Sequence, residues 1–197
     1  MPHSSEIYYS KGNSKVKFPI INLQSGTDCA CAGWCLFSKQ NHKRAGKRLC
    51  YAQKTERIYP SVLQSRRTNQ RIIDNMPMDT MADVVPSLAC KLAKHATDKI
   101  VRFNESGDLS DANIAFICML SIELRKHGVR MYGYSKSSNK LVGMLRATGA
   151  TVLRSQKDFI AYGTEEAGKA SGMVQCPGVC GPCKRCPQGK QSWILEH

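Results

Sequence analysis

The chain has 197 residues, of which 42% are hydrophobic, an ordinary proportion for a globular protein. Lysine and arginine number 29 against 15 acidic residues, which gives a formal net charge of +14. This surplus fits binding to nucleic acid or an acidic partner, although ionised cysteines on a metal would cancel part of it. The sequence contains neither a long apolar run nor an apolar leader at its start. We therefore expect a protein without membrane contact in a reducing cytoplasm.

The length predicts one domain with its own core. Residues 1–17 are polar and are predicted to form a flexible arm, and residues 18–194 to form a single α/β domain. Residues 195–197 resemble a tag remnant.

The predicted elements begin with a short strand in Phe18–Gly26, followed by a cysteine-bearing loop with a basic insertion at residues 38–48. Two helical segments follow, at residues 55–75 and 81–98, each containing a proline. From Lys99 onward the pattern is strand, helix, strand, helix, strand. A glycine-rich stretch at residues 161–175 is predicted as a flexible link to the C-terminal cysteines.

Short strands that alternate with helices indicate a parallel sheet. The predicted fold is therefore α/β, with parallel strand–helix units in an open sheet or incomplete barrel and cysteine-rich loops at both ends of the chain. Polar residues cluster where the strands end, the edge at which such folds build their sites. Candidate catalytic residues there are Glu105, Asp108, Ser135, Lys136 and Asp158. Helix capping by Asp108 or Asp111 is the alternative.

Four cysteines lie within eleven residues near the C-terminus, in a C-x3-C-x2-C-x2-C pattern followed by a proline: Cys176, Cys180, Cys183 and Cys186. Closely spaced cysteines with a final Cys-Pro pair are typical of bacterial [4Fe–4S] ferredoxins. A structural zinc site more often uses two C-x2-C pairs that lie further apart. The pattern favours one or two [4Fe–4S] clusters, with zinc as the alternative cofactor, and a reducing cytoplasm disfavours disulfides.

The first three of these cysteines also have the C-x3-C-x2-C spacing of radical S-adenosylmethionine enzymes. In those enzymes the motif lies near the N-terminus and leaves one iron open. In this chain a fourth cysteine stands beside it, so the spacing alone does not decide between an electron carrier and an enzyme.

A second cysteine group follows the first predicted strand. It consists of Cys29, Cys35 and Cys50, with Cys31 as a less regular member, and its spacing is looser. This group is predicted to form a second metal centre or to complete the first. Cys90 and Cys118 lie in helical, partly apolar segments and are predicted to pack as small hydrophobic residues.

Several segments resemble a phage-encoded family described as gene product eighty-eight. They are Cys50–Gln70, Val101–Asp108, Tyr132–Ser137, Ser155–Asp158 and the C-terminal cysteine run. The first, with its CYA-x-K-x-E-R-x-Y-P pattern, is the most specific. Cys29, Cys35 and Cys50 look like family positions, and Cys31 looks like an addition.

The resemblance implies an iron–sulfur protein in the cytoplasm of an infected bacterial host, distantly similar to radical S-adenosylmethionine proteins. The expected function is [4Fe–4S] binding with a redox role, either electron transfer to a redox partner or cluster-dependent catalysis on a small-molecule substrate. A radical S-adenosylmethionine-like enzyme and a zinc-stabilised nucleic-acid-binding protein are the alternatives. No dinucleotide fingerprint or phosphate loop is present in the sequence.

Overall fold

The structure is a computed structural model that describes residues 6–13, 16–25, 29–31, 50–155, 159–162, 164–177 and 180–195. Its helices are α1 (Tyr51–Ile58), α2 (Pro60–Asp74), α3 (Met78–His95), α4 (Ile114–Lys126), α5 (Asn139–Ala147), α6 (Glu165–Ala170) and the single turn α7 (Cys180–Cys183). Its strands are β1 (Ile20–Ile21), β2 (Ile100–Phe103), β3 (Arg130–Ser135), β4 (Thr151–Arg154), β5 (Phe159–Tyr162), β6 (Val174–Gln175) and β7 (Ser192–Leu195). A 3₁₀ turn spans Cys186–Gln188.

Four parallel strands form the main sheet in the order β1-β2-β3-β4. The mixed α/β class with a parallel sheet is therefore confirmed, and the described strands form an open sheet. Strands in sequence order with right-handed crossovers place their connecting helices on the same face of a sheet. The carboxyl ends of all four strands consequently lie at one edge.

The helix-covered face contains the larger core. Alternate strand residues such as Val101, Phe103 and Met131 pack there against apolar residues of α3, α4 and α5. Phe116 and Leu120 of α4 are fully buried in this cluster. Burial of so much apolar surface is the main force holding the helices on the sheet.

The opposite face of the sheet has a smaller apolar cluster. It comprises Val16, Phe18, Ile20, Ile100, Tyr132, Leu153 and Cys186. The strand members of this cluster alternate with those on the helix-covered face, as period-two side-chain geometry requires. The C-terminal cysteine segment therefore lies against a sheet face that the helices leave open.

Part of the segment predicted as a flexible arm packs against the domain. Ile7 is 4% exposed and belongs to the larger core. The backbone N–H of Tyr8 donates to Asn69 Oδ1 at 2.8 Å, and Asn69 Nδ2 donates back to the Tyr8 carbonyl at 2.8 Å. Asn69 of α2 thus ties this segment to the helices.

A second, three-stranded parallel sheet has the order β5-β7-β6. Part of the stretch predicted as a flexible link is instead ordered in α6 and β6, because Thr164 caps α6 by accepting the N–H of Ala167 and two glutamates occupy the first turn. The ring of Trp193 lies so close to Gly168 that a Cβ there would be 2.4 Å from a ring carbon. β7 ends at Leu195, the first residue of the predicted tag remnant.

The helical segment predicted at residues 55–75 is two helices, α1 and α2, divided at Tyr59, and the other helix predictions hold with small shifts at the ends. Pro60 begins α2, where its missing N–H costs no hydrogen bond, and Pro86 lies inside α3. α4 begins after Asn113 rather than at the predicted cap Asp111. Among the described residues, the search for a helix long and apolar enough to cross a membrane found none.

Candidate functional site

The C-terminal cysteines occupy three short elements that follow one another along the chain. Cys176 follows β6, and its N–H donates to the Trp193 carbonyl at 2.6 Å. Cys180 and Cys183 begin and end the single turn α7, so their backbones lie one helical turn apart. Cys186 begins the 3₁₀ turn and is 8% exposed within the apolar cluster on the sheet.

Cys186 lies within electrostatic range of two other cysteines. Burial is the main reason that the pKa of its thiol is raised, and Cys176 and Cys183 raise it further. A hydrogen bond from Tyr134 and the positive charge of Arg102 act in the opposite direction. The fold therefore brings three of the four predicted C-terminal ligands near one another, beside a cation and a hydroxyl donor.

Several contacts attach this loop to the main sheet. Thr151 Oγ1 donates to the Pro187 carbonyl at 3.1 Å. Lys184 has a positive φ of 48° and its ammonium bonds to Asp98 at 2.8 Å. The 3₁₀ turn itself packs against β3 and β4. The chain reversal between Cys183 and Cys186 is thereby anchored on both sides.

The cysteines fit a metal centre in their chemistry, since thiolates are the ligands of iron–sulfur clusters and of structural zinc. The side chain of Cys180 lies outside the described residues. Among the described side chains, no group of three or more His, Cys, Asp or Glu residues is arranged to hold a metal ion. Ligation by this set remains a prediction.

The N-terminal cysteines are described only in part. Cys31 is 1% exposed, and Cys29 and Cys50 are half-buried. Cys50 immediately precedes α1, and its carbonyl accepts the N–H groups of the first turn. Cys35 lies outside the described residues. Among the described cysteines, free thiols are carried by Cys50, Cys90, Cys118, Cys176, Cys183 and Cys186.

Asp108 is buried at the edge where the strands end, and both of its carboxylate oxygens are hydrogen-bonded. Oδ1 accepts from Ser135 Oγ at 2.5 Å and from the Leu109 N–H at 2.8 Å, and Oδ2 accepts from the Lys136 N–H at 2.8 Å. The structure thus brings Asp108, Ser135 and the Lys136 backbone together. These contacts join the ends of β2 and β3.

Of the other predicted strand-end residues, Glu105 lies 3.9 Å from Arg102, and Asp158 lies outside the described residues. Arg102 also lies over the Tyr134 ring, 5.4 Å from its centroid. Burial and the hydrogen bond with Cys186 raise the pKa of Tyr134. A polar path therefore runs from Glu105 through Arg102 and Tyr134 to Cys186.

Sequence reasoning missed Arg102 and Tyr134. Both stand in strands, where a polar or aromatic residue at one position among apolar neighbours is easily taken as ordinary strand composition. The alternation of side chains along a strand could have identified both residues. Arg102 lies two residues after Ile100 and Tyr134 two residues after Tyr132, so each shares a sheet face with a residue that packs opposite the helices.

The helical segment after Cys50 contains a buried ion pair. Arg66 and Glu56 approach to 3.1 Å, with side chains only 7% and 6% exposed. Glu56 also accepts the Ser25 N–H at 3.1 Å, and Arg66 donates to the Ala52 carbonyl at 3.2 Å. This pair links α1, α2 and the end of the segment after β1.

Two clefts lie beside these features. One of about 430 Å³ flanks the edge strand β4 and is bordered by Gly189 and Gln191. The other, of about 180 Å³, lies between the segment after β1 and helices α1 and α2.

Comparison with known proteins gives one match. The family described as Gene product 88 matches residues 4–152, more than half of the chain, so the protein belongs to this family. The match includes Cys50–Gln70, Val101–Asp108 and Tyr132–Ser137, and it stops before Ser155–Asp158 and the C-terminal cysteines. No curated protein and no solved structure matches the chain.

Proposed function

We propose that this member of the phage Gene product 88 family binds a [4Fe–4S] cluster through Cys176, Cys180, Cys183 and Cys186. The cluster serves a redox role in the cytoplasm of the infected host, as an electron carrier or as the cofactor of a catalysed reaction. The observation that supports the proposal most directly is the position of Cys186, which is buried on the sheet face opposite the helices, with Cys176 and Cys183 close enough to raise the pKa of its thiol.

The surroundings of Cys186 suit a bound cluster. Cys186 is buried among apolar side chains, which would limit access of water to one side of a cluster. Tyr134 bonds to its sulfur, and Arg102 contributes positive charge nearby. A cluster carries electrons, and sulfur hydrogen bonds, nearby charge and solvent exposure set its reduction potential.

The N-terminal cysteines enter the proposal as a second centre or as ligands that complete the first. Cys29, Cys31 and Cys50 are at least half-buried, while Cys35 remains a candidate from sequence alone. The N-terminal cysteines fall within the residues that match the family, and the C-terminal run lies beyond them.

The saturated hydrogen bonding of Asp108 favours a structural role for this residue. Among the predicted catalytic residues with described side chains, Glu105 contacts Arg102, which lies over the ring of Tyr134 beside Cys186. Cluster-dependent catalysis would therefore place Glu105 rather than Asp108 beside a substrate.

Anaerobic purification tests the cluster directly. We expect a brown protein with about four irons and four sulfides per chain, as one [4Fe–4S] cluster requires. Cys183→Ser should lose iron, whereas Cys90→Ser, a change on helix α3, should keep it. A colourless protein with stoichiometric zinc would support the zinc alternative and end the iron–sulfur proposal, and iron retained in both variants would show that the ligands lie elsewhere.

A second measurement separates electron transfer from catalysis. The reduced, cluster-loaded protein is incubated with S-adenosylmethionine, and 5′-deoxyadenosine is measured. Its formation would identify a radical enzyme. Reversible one-electron reduction without this product would leave electron transfer as the role.

A further inference from the structure

The smaller cleft combines features of a binding site that the proposed cluster does not use. It is lined by residues from the segment after β1, from α1 and from α2: Gln24, Ser25, Gln53, Glu56, Arg57, Leu63 and Arg67. Its volume is about 180 Å³, and a water molecule in the liquid occupies about 30 Å³. The cleft therefore has room for a small polar group rather than for an extended ligand.

Ser25 lines this cleft, and its hydroxyl is buried. Ser25 is 4% exposed, and its Oγ has no hydrogen-bond partner within the part of the chain that the structure describes. A buried hydroxyl left without a partner destabilises the folded protein. Its backbone N–H, by contrast, is bonded to Glu56. The unused hydroxyl points to a ligand as its partner.

Arg57 and Arg67 contribute positive charge at the same cleft. Both side chains are exposed, and neither forms a hydrogen bond or an ion pair with another described residue. Among the described residues that line the cleft, Glu56 is the only carboxylate, and its charge is already matched by Arg66 at 3.1 Å. The net charge around the cleft is therefore positive.

Guanidinium groups offer paired N–H donors that match the oxygens of phosphates and carboxylates. We propose that this cleft binds a small oxyanion, the phosphate or carboxylate group of a small molecule, with Arg57 and Arg67 pairing with its charge and Ser25 donating to one of its oxygens. This site lies on the family-matched part of the chain and uses none of the proposed cluster ligands.

Titration of the full-length protein with inorganic phosphate and with acetate, followed by calorimetry and by ³¹P NMR for phosphate, tests the site. We expect saturable binding of at least one of the two, and the preferred anion identifies the group. Arg57→Gln and Arg67→Gln should each weaken binding about tenfold or more, the effect of one lost charge-assisted hydrogen bond. Ser25→Ala should weaken binding while leaving the free protein at least as stable, because its hydroxyl has no partner to lose.

Arg130→Gln is the matched control, since Arg130 is also exposed and its loss changes the net charge equally. The control should bind the anion like the unmodified protein. Equal weakening in the Arg130 variant, or no saturable binding of either anion, would overturn the proposal. Binding of an oligonucleotide without binding of either small anion would overturn it in favour of a nucleic-acid surface.

Discussion

The two faces of the main sheet are built from alternate residues of the same strands, yet they differ in chemistry. Val101, Phe103 and Met131 meet an apolar helix layer. Ile100, Tyr132 and Leu153 meet a small cluster that includes Cys186, with Arg102 and Tyr134 beside it. Most of the apolar contacts that stabilise the sheet thus lie on one face, and the other face carries the proposed cysteine site.

The largest expected effect comes from the helix-covered face. Phe116→Ala should lower the free energy of unfolding by about 3–5 kcal/mol, because the fully buried ring leaves a cavity. Urea denaturation measures the change. Ile122→Ala on the same helix is the control; Ile122 is 46% exposed, and its loss should cost less than about 0.5 kcal/mol. Similar losses in both variants would contradict the assignment of the main core to this face.

Asp108 joins the strand ends, and its replacement tests whether that role is structural. Asp108→Asn places an amide N–H₂ opposite one of the present donors and should cost about 1.5–3 kcal/mol, the range for a hydrogen bond to a charged group. Thermal and urea unfolding measure the loss. Asp111→Asn, at an exposed position three residues along, should be neutral. Unchanged stability of the Asp108 variant together with lost activity would instead point to catalysis.

Replacement of Tyr134 tests the sheet face that carries Cys186. Tyr134→Phe removes the hydrogen bond to Cys186 and should change the free energy of unfolding by no more than about 1 kcal/mol. In the cluster-loaded protein the reduction potential should become more negative, because sulfur hydrogen bonds favour the reduced cluster. Tyr9→Phe, on the helix-covered side, should leave the potential unchanged. An unchanged potential in both variants would place the cluster away from Cys186.

The smallest effect concerns Cys118, which packs against the helix-covered core. Burial raises the pKa of this thiol, so it holds less of the reactive thiolate at a given pH than an ordinary cysteine. Iodoacetamide labelling followed by mass spectrometry should show slow alkylation of Cys118 at neutral pH. The alkylation rate should increase at a higher pH than it does for a short cysteine peptide. Labelling as fast as the peptide would show that Cys118 is not packed.

The central strands and helices were predicted because their hydrophobic patterns repeat over enough residues to be recognised from the sequence alone. The spacing in α4 and the alternation in β2 are examples. The second sheet escaped prediction because its elements are short. β6 spans only Val174–Gln175, and its strand state depends on pairing with β7, which is distant in sequence.

The candidate site was predicted in the same uneven way. The cysteines were identified from spacing, and Asp108 and Ser135 from their positions at strand ends. Arg102 and Tyr134 were missed because their importance comes from neighbours on other strands and on the C-terminal loop. Ser25 and the arginines of the smaller cleft were missed for the same reason, since α1, α2 and the segment after β1 meet only in the folded chain.

The sequence by itself determined the α/β class, the parallel arrangement of the main strands and the identity of the thiol groups, because periodicity and residue chemistry are local properties. Only the tertiary structure decided which sheet face receives Cys186, that both carboxylate oxygens of Asp108 accept hydrogen bonds, and that the Ser25 hydroxyl has no partner among the described residues. Those facts depend on contacts between residues far apart along the chain, and packing and hydrogen-bond geometry set them together.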